Sequence, residues 1–191
     1  MKKIFLSLVL IFIVTTVTFA YDIVPKVSVD LPSTFKTDYE VKVSMTIGAE
    51  ARFPVSNYFS VGGGVEYLIP RTTSSKDFLI ARSAPPEYEK GYYSNKDFYF
   101  LPAYATILLY PLGNFGEYKP YLKLDCGYNL FFGVDDAKSS SGGLYIGGAI
   151  GFELFERFIL EITTSRYEAK DNDTNITYKK IGFKFGYKFT I

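Results

Sequence analysis

The sequence predicts an all-β fold: an eight-stranded, antiparallel, up-and-down transmembrane β-barrel that follows a cleaved signal peptide. Three observations predict it: an N-terminal signal pattern, a series of segments in which apolar and polar residues alternate, and breaks between segments that are alternately short and long. No segment after the signal approaches a continuous transmembrane helix. In lipid, a closed β-barrel is the other structure that satisfies every backbone hydrogen bond.

Residues 1–20 have the pattern of a secretory signal peptide. Residues 1–3 supply positive charge, residues 4–17 are apolar, and residues 18–20 form a small-x-small cleavage site. Cleavage would leave residues 21–191 as a single barrel domain. An uncleaved membrane anchor is the alternative, because the apolar run approaches the ~18 residues that a spanning helix needs.

The first three predicted strands each have an apolar and a polar face, because strand side chains alternate with a period of two. In residues 22–33 the apolar residues have odd numbers, and Pro25 lies near the strand start, where proline is tolerated. The strand 39–55 continues the pattern, with apolar odd positions and polar even positions. The strand 58–70 repeats it after a short break.

The fourth strand, residues 98–111, is apolar on both faces, so its facing is not assigned. Pro102 within it predicts a lost ladder hydrogen bond or a bulge. The strands 118–134, 143–155 and 158–168 place apolar residues at even positions, and the last strand, 176–191, places them at odd positions.

The breaks between strands indicate how the barrel is oriented. Short turns at 56–57, 113–117 and 156–157 belong on the side that holds both termini, and longer loops lie opposite. Short turns on one side and longer loops on the other are typical of bacterial outer-membrane barrels. The sequence therefore predicts an outer-membrane protein.

The polar faces together carry seven basic and seven acidic residues. The basic residues are Lys26, Lys42, Arg52, Lys123, Lys180, Lys184 and Lys188. The acidic residues are Asp30, Glu40, Glu50, Glu66, Asp125, Glu153 and Glu161. An eight-stranded barrel is only wide enough for its own side chains, and buried charges require partners. We therefore expect a neutral interior charge network rather than an open channel.

Aromatic residues near the predicted strand ends or on the outer face indicate girdles at the membrane interfaces. Packing in a core is the alternative explanation for them. They are Tyr39, Tyr58, Tyr67, Phe98, Tyr110, Tyr118, Tyr128 and Tyr187.

Three segments resemble the small eight-stranded outer-membrane β-barrel family, the OmpA/OmpX-like domains of the porin superfamily. They are residues 119–128, with the sequence KPYLKLDCGY, residues 147–154 and residues 182–189. The resemblance covers nearly the whole mature chain and implies assembly by the barrel-assembly machinery. Family members commonly end in an aromatic residue, whereas this chain ends Phe189-Thr190-Ile191. The motifs identify architecture rather than function.

Composition argues against catalysis. The sequence contains no His, which excludes a Ser-His-Asp triad, histidine-dependent lipid hydrolysis and His-ligated metals. Cys126 lies on the predicted lipid face without a partner, and the carboxylates of Glu50 and Glu66 are interpreted as ion-pair partners. We therefore predict no catalytic residue, cofactor or metal site. A formal charge of +1 gives no indication of nucleic-acid binding.

The segment 71–96 is interpreted as a large exposed loop and as the candidate contact region for an unknown surface ligand. Phe78, Tyr88, Tyr92 and Tyr93 make it more apolar than a plain linker.

The predicted protein is a non-enzymatic, monomeric outer-membrane barrel, in contact with outer-membrane lipid, with a structural or surface-interaction role in the cell envelope. A narrow pore or small-molecule conduit is one alternative. A soluble, secreted, lipocalin-like carrier is the other, and it requires an apolar interior and a polar exterior.

Overall fold

The structure is a computed structural model that describes residues 22–35, 39–41, 43–69, 71–75, 97–113, 117–133, 141–171 and 174–191. The predicted signal peptide lies outside these residues. The strand segments are β1 (Asp22–Asp30), β2 (Ser33–Phe35), β3 (Tyr39–Val41), β4 (Ser44–Ser56), β5 (Phe59–Leu68), β6 (Arg71–Ser75), β7 (Asp97–Leu109), β8 (Tyr118–Gly133), β9 (Ser141–Leu154), β10 (Phe158–Asp171), β11 (Thr174–Tyr187) and β12 (Phe189–Thr190). The described ranges include no helix long and apolar enough to cross a membrane.

The segments form one closed antiparallel barrel. Neighbours run from β1 through β4, β5, β7, β8, β9, β10 and β11, and β11 pairs again with β1. Lys26↔Gly186 and Asp30↔Gly182 set the register of this closure. The segments β1–β2, β3–β4, β5–β6 and β11–β12 are successive pieces of single barrel strands. The prediction of eight antiparallel strands is confirmed.

The predicted contrast between short turns at one end and longer loops at the other holds only in part. The longest connection, between β6 and β7, lies opposite the termini, but only three residues join β2 to β3 and only two join β10 to β11 at that same end. Short connections join β4 to β5, β7 to β8 and β9 to β10 at the end where β1 begins and β12 ends. We call this end the terminus side and the opposite end the loop side. At the terminus side, β12 pairs with the start of β1 through Asp22↔Thr190 and Ile23↔Phe189, so the last residues also belong to the barrel wall.

The predicted 71–96 loop begins too early. Residues 71–75 form β6, which pairs with β3 through Val41↔Thr73 and with β7 through Arg71↔Phe98. Pro70 interrupts the alternation at this point, and the following Thr and Ser residues have no apolar face. The segment is nevertheless a strand because β3 and β7 offer it ladder partners. The remainder, residues 76–96, lies outside the described residues.

The structure resolves the facing of β7. Even-numbered residues such as Phe100 and Leu108 point into the barrel and are buried, whereas Leu101 and Ile107 point outward. Pro102 pairs with Asn129 of β8. On the other side of β7, pairing with β5 ends at Ala103 and resumes with β6 at Phe98, among the residues described. Pro102 lies inside this interruption, where its missing N–H costs the ladder least.

The outer surface of the barrel is apolar. Leu124 and Ile150 have 63% and 61% of their surface exposed, and Cys126 is also exposed on this face. Tyr58 and Tyr118 are exposed at the terminus side, as the predicted girdle requires. An apolar exterior over a charged interior fits a barrel in lipid and is the opposite of a soluble carrier.

One predicted girdle residue is placed differently. Tyr110 follows the end of β7 and is buried, with 7% of its surface exposed, because it continues the inward-facing even positions of that strand. Its ring lies 5.7 Å from the ring of Tyr121, so it packs inside the barrel.

The lipid-facing surface predicts a depth-dependent effect of charge. We expect Ile47→Arg, near the middle of the barrel strand that β3 and β4 form, to lower the free energy of unfolding by about 2–4 kcal/mol, because the guanidinium would enter hydrocarbon. Val55→Arg, beside the terminus-side turn, should cost only about 0–1 kcal/mol. Urea unfolding in lipid vesicles measures both. Equal costs would contradict the placement of β4 across a bilayer.

Candidate functional site

The barrel interior holds the predicted charge network. Lys42 and the side chain of Glu40 lie outside the described residues. Among the remaining predicted members, the structure buries all except Lys188, which is half-buried. These buried residues are Lys26, Asp30, Glu50, Arg52, Glu66, Lys123, Asp125, Glu153, Glu161, Lys180 and Lys184. Alternation along each strand points them inward, and they come from strands on different sides of the barrel.

The carboxylate of Glu50 lies at the centre of this network. Lys123 Nζ is 2.7 Å from Glu50 Oε2, and Lys26 Nζ is 3.1 Å from the same oxygen. Arg52 Nε donates to Glu50 Oε1 at 2.6 Å. These cations belong to β8, β1 and β4. One carboxylate therefore connects three strands across the bore.

Glu161 of β10 provides the second carboxylate of the centre. Its Oε1 accepts from Lys26 Nζ at 2.7 Å and from Arg52 Nη2 at 3.2 Å. Tyr121 OH donates to the same oxygen at 2.7 Å. Two carboxylates thus balance most of the charge of Lys26, Arg52 and Lys123, which burial would otherwise make costly.

A second group of ion pairs lies next to the first. Glu66 accepts a hydrogen bond from Lys184, and the hydroxyl of Tyr104 lies 3.3 Å from Glu66 Oε1 and from Glu50 Oε2. Lys180 Nζ is 3.3 Å from Asp30 Oδ1. The hydroxyl of Tyr104 therefore joins the two groups.

An aromatic layer fills the bore on the loop side of these ion pairs. The ring of Phe100 stacks on that of Tyr178 with centroids 5.8 Å apart, and the ring of Tyr145 lies 5.0 Å from that of Tyr167. Lys180 Nζ lies 5.6 Å from the centroid of the Tyr167 ring, so the layer also contacts the charges below it. The aromatic layer separates the ion pairs from the loop side.

A polar mouth opens at the terminus side. Glu153 accepts from Lys188 and lies 3.8 Å from Lys119 Nζ, and Lys188 is 3.9 Å from Asp22. Lys119 also reaches Glu156 at 3.5 Å. The cavity between these residues has a volume of about 170 Å³.

Lys119 and Asp22 are members of this interior that the sequence analysis missed. Lys119 has the same parity as Lys123 and Asp125 on β8, so alternation alone could have identified it. Asp22 is the first described residue of β1, and only the pairing of β12 with β1 brings it near Lys188.

The side chains leave little space inside the network. A cavity among Lys26, Ser28, Glu66, Tyr104 and Lys184 has a volume of about 10 Å³, which is roughly the space for one water molecule. The carboxylates are held by cations rather than presented to a reacting group. Within the described ranges, no three His, Cys, Asp or Glu side chains come together as a metal site.

The predicted loop contacts Phe78, Tyr88, Tyr92 and Tyr93 lie outside the described residues. The described strands on either side of them end at Ser75 and begin at Asp97, and both of these residues lie at the loop side.

The fold and the filled interior define a small transmembrane β-barrel of the outer-membrane type. Neisserial surface protein A has a similar structure, with a TM-score of 0.55 and 12% identity over 89% of this chain and 98% of that protein. This likeness confirms the predicted outer-membrane barrel fold, and the apolar exterior fits that fold to lipid.

Two other solved outer-membrane proteins align with most of this chain. The attachment invasion locus protein Ail of Yersinia pestis gives a TM-score of 0.49 with 13% identity over 89% of this chain and 99% of that one. The outer membrane protein OprG of Pseudomonas aeruginosa gives 0.45 with 18% identity over 90% and 97%. No protein-family model matches the sequence, and no curated protein matches it.

The central ion pairs predict that neutralising a buried carboxylate destabilises the barrel much more than neutralising an exposed one. Glu50→Gln keeps the shape of the side chain but leaves three cations around a neutral amide. We expect a loss of about 3–5 kcal/mol in the free energy of unfolding. Glu168→Gln is the matched control, because its pair with Arg166 is exposed and should contribute about 0–1 kcal/mol. Denaturant titration in detergent micelles compares them, and a similar loss in both variants would contradict the buried network.

Proposed function

We propose that the protein is a closed, non-enzymatic barrel of the bacterial outer membrane that has a structural or surface-interaction role. The observation that supports this proposal is the filled bore. Ion pairs occupy its middle, and an aromatic layer occupies it on the loop side of them. A solute has no continuous path through side chains that are this closely paired. The surfaces left for interaction are the loops and the lipid-facing wall.

The proposal extends to assembly and partners. The barrel closes on itself through β1 and β11, so it needs no second chain to complete its ladder and we infer a monomer. Outer-membrane lipid covers its wall, and the barrel-assembly machinery would insert it. The connection between Ser75 and Asp97 is the proposed contact for a surface ligand, because a long segment between two strands of a rigid scaffold is a common place for binding.

The filled bore predicts the absence of conductance. The folded full-length mature chain, checked by its shift in SDS electrophoresis on boiling, would be added to planar lipid bilayers beside a known porin. We expect no discrete conductance steps for this chain. Reproducible steps would contradict the closed scaffold and favour the narrow-pore alternative.

The loop proposal predicts that changes to the 76–96 segment reduce surface interaction but leave folding intact. Replacing residues 77–95 with a short Gly-Ser linker should leave the heat-dependent electrophoretic shift intact, because the pairs Arg71↔Phe98 and Thr72↔Asp97 are retained. We expect bacteria that display this variant to attach less to matrix-coated surfaces than bacteria with the natural loop.

A second variant changes only Phe78, Tyr88, Tyr92 and Tyr93 to Ser and keeps the loop length. It should reproduce the reduced attachment. Unchanged attachment in both variants would overturn the loop proposal, and loss of the heat-dependent shift would show that the loop is structural.

A further inference from the structure

A groove crosses the lipid-facing wall formed by β7 to β11. Its volume is about 590 Å³, and its lining includes side chains that face each other in one cross-strand row. That row consists of Ile107, Leu124, Gly148, Thr164 and Ile181. Gly148 lies at the centre of the row and has no side chain, so the floor of the groove is backbone.

Packing does not require glycine at position 148. A Cβ atom there would meet Lys123 O at 3.5 Å and Leu124 Cδ2 at 3.8 Å, which are ordinary contacts. By contrast, a Cβ at the inward-facing Gly151 would lie 2.4 Å from the Tyr121 ring. Gly151 makes room for an interior side chain, whereas Gly148 leaves a space on the outside that the barrel itself does not fill.

A basic pair lies at the loop-side edge of this groove. Arg166 of β10 and Lys179 of β11 face each other one row beyond Thr164 and Ile181, and both are exposed on the outer wall. Arg166 Nη2 contacts Glu168 at 2.6 Å, so the three residues have a net positive charge of one. A guanidinium has five N–H donors and retains others beside that contact.

The outward residues of β10 and β11 change character at this pair. On the terminus side of it, Ile162 and Phe183 are apolar, and on the loop side Glu168 is charged. Such a change marks the boundary between hydrocarbon and headgroups on a transmembrane barrel. The basic pair therefore lies at headgroup level, directly above an apolar groove.

We propose that the groove and the basic pair bind one lipid of the loop-side leaflet that has an anionic, phosphate-bearing headgroup. One acyl chain would lie along Gly148, and the phosphate would contact Arg166 and Lys179. Arginine matches phosphate geometry through paired hydrogen bonds, and cations near a membrane surface attract anionic headgroups. The proposal depends on the membrane location of the barrel and not on the interaction of its loops.

Lipid retention measured by native mass spectrometry tests this proposal. The full mature chain is released from nanodiscs that contain equal parts of phosphatidylglycerol and phosphatidylcholine. We expect one phosphatidylglycerol to remain bound in preference to phosphatidylcholine. Excess inorganic phosphate should not displace it, because the groove holds the acyl chain.

Variants separate the two halves of the site. Gly148→Leu fills the groove, and Ala49→Leu adds the same side chain to the outer wall of β4 as a matched control. We expect Gly148→Leu to abolish preferential retention and Ala49→Leu to leave it unchanged. Lys179→Gln tests the headgroup separately and should lower retention about fivefold.

Three outcomes would overturn the proposal. Equal retention of the two lipids would show that the wall does not select charge. Retention unaffected by Gly148→Leu in a heat-modifiable barrel, or by Lys179→Gln, would show that the lipid binds elsewhere. A mass of two chains that Gly148→Leu reduces to one would assign the groove to a second copy.

Discussion

The charge balance around Glu50 is the constraint on which the rest of the barrel depends. Lys26, Arg52 and Lys123 meet at or beside this carboxylate, and all four side chains are buried in the bore. Because these residues belong to β1, β4 and β8, their contacts require each strand to keep its register. A slip of one residue in any of them would turn a charge toward lipid and an apolar side chain toward the bore. The network therefore fixes the facing and the alignment of β8 relative to β1 and β4, which are neighbours of each other but not of β8.

The interior also depends on glycines placed next to large rings. A Cβ at Gly151 or Gly64 would lie within 2.8 Å of the Tyr121 or Tyr104 ring, so neither tyrosine could keep its position beside a larger residue. The hydroxyls of these tyrosines contact Glu161 and Glu50. Small residues on one strand thus allow large residues on another to reach the network. In a narrow barrel, this pairing of small and large side chains fills the bore without straining the wall.

Alternation predicts which face of most strands points toward lipid. Charged residues recur at every second or fourth position of these strands, and the face that carries them must point into the bore. Alternation fails at β7, where Phe100 and Leu108 face inward and Leu101 and Ile107 face outward, since neither set carries charge. It also fails at β6, whose residues 71–75 have no apolar face and are held by neighbours. The contacts of the network were beyond prediction for a related reason: alternation places Glu50 and Lys123 inside, but only barrel closure brings their strands together across the axis.

Buried ion pairs are often no more stabilising than well-packed apolar groups of the same size. An apolar bore would therefore fill the same space, but it would remove the difference between the two faces of each strand. The strand β7 shows this situation within the barrel, since both of its faces are largely apolar. The hydroxyl group of Tyr104 on β7 lies 3.3 Å from Glu50 of β4 and from Glu66 of β5, so it links β7 to the interior charges. The interior charges thus specify which face of a strand meets lipid, and the resulting filled bore confines interactions with other molecules to the outer surfaces.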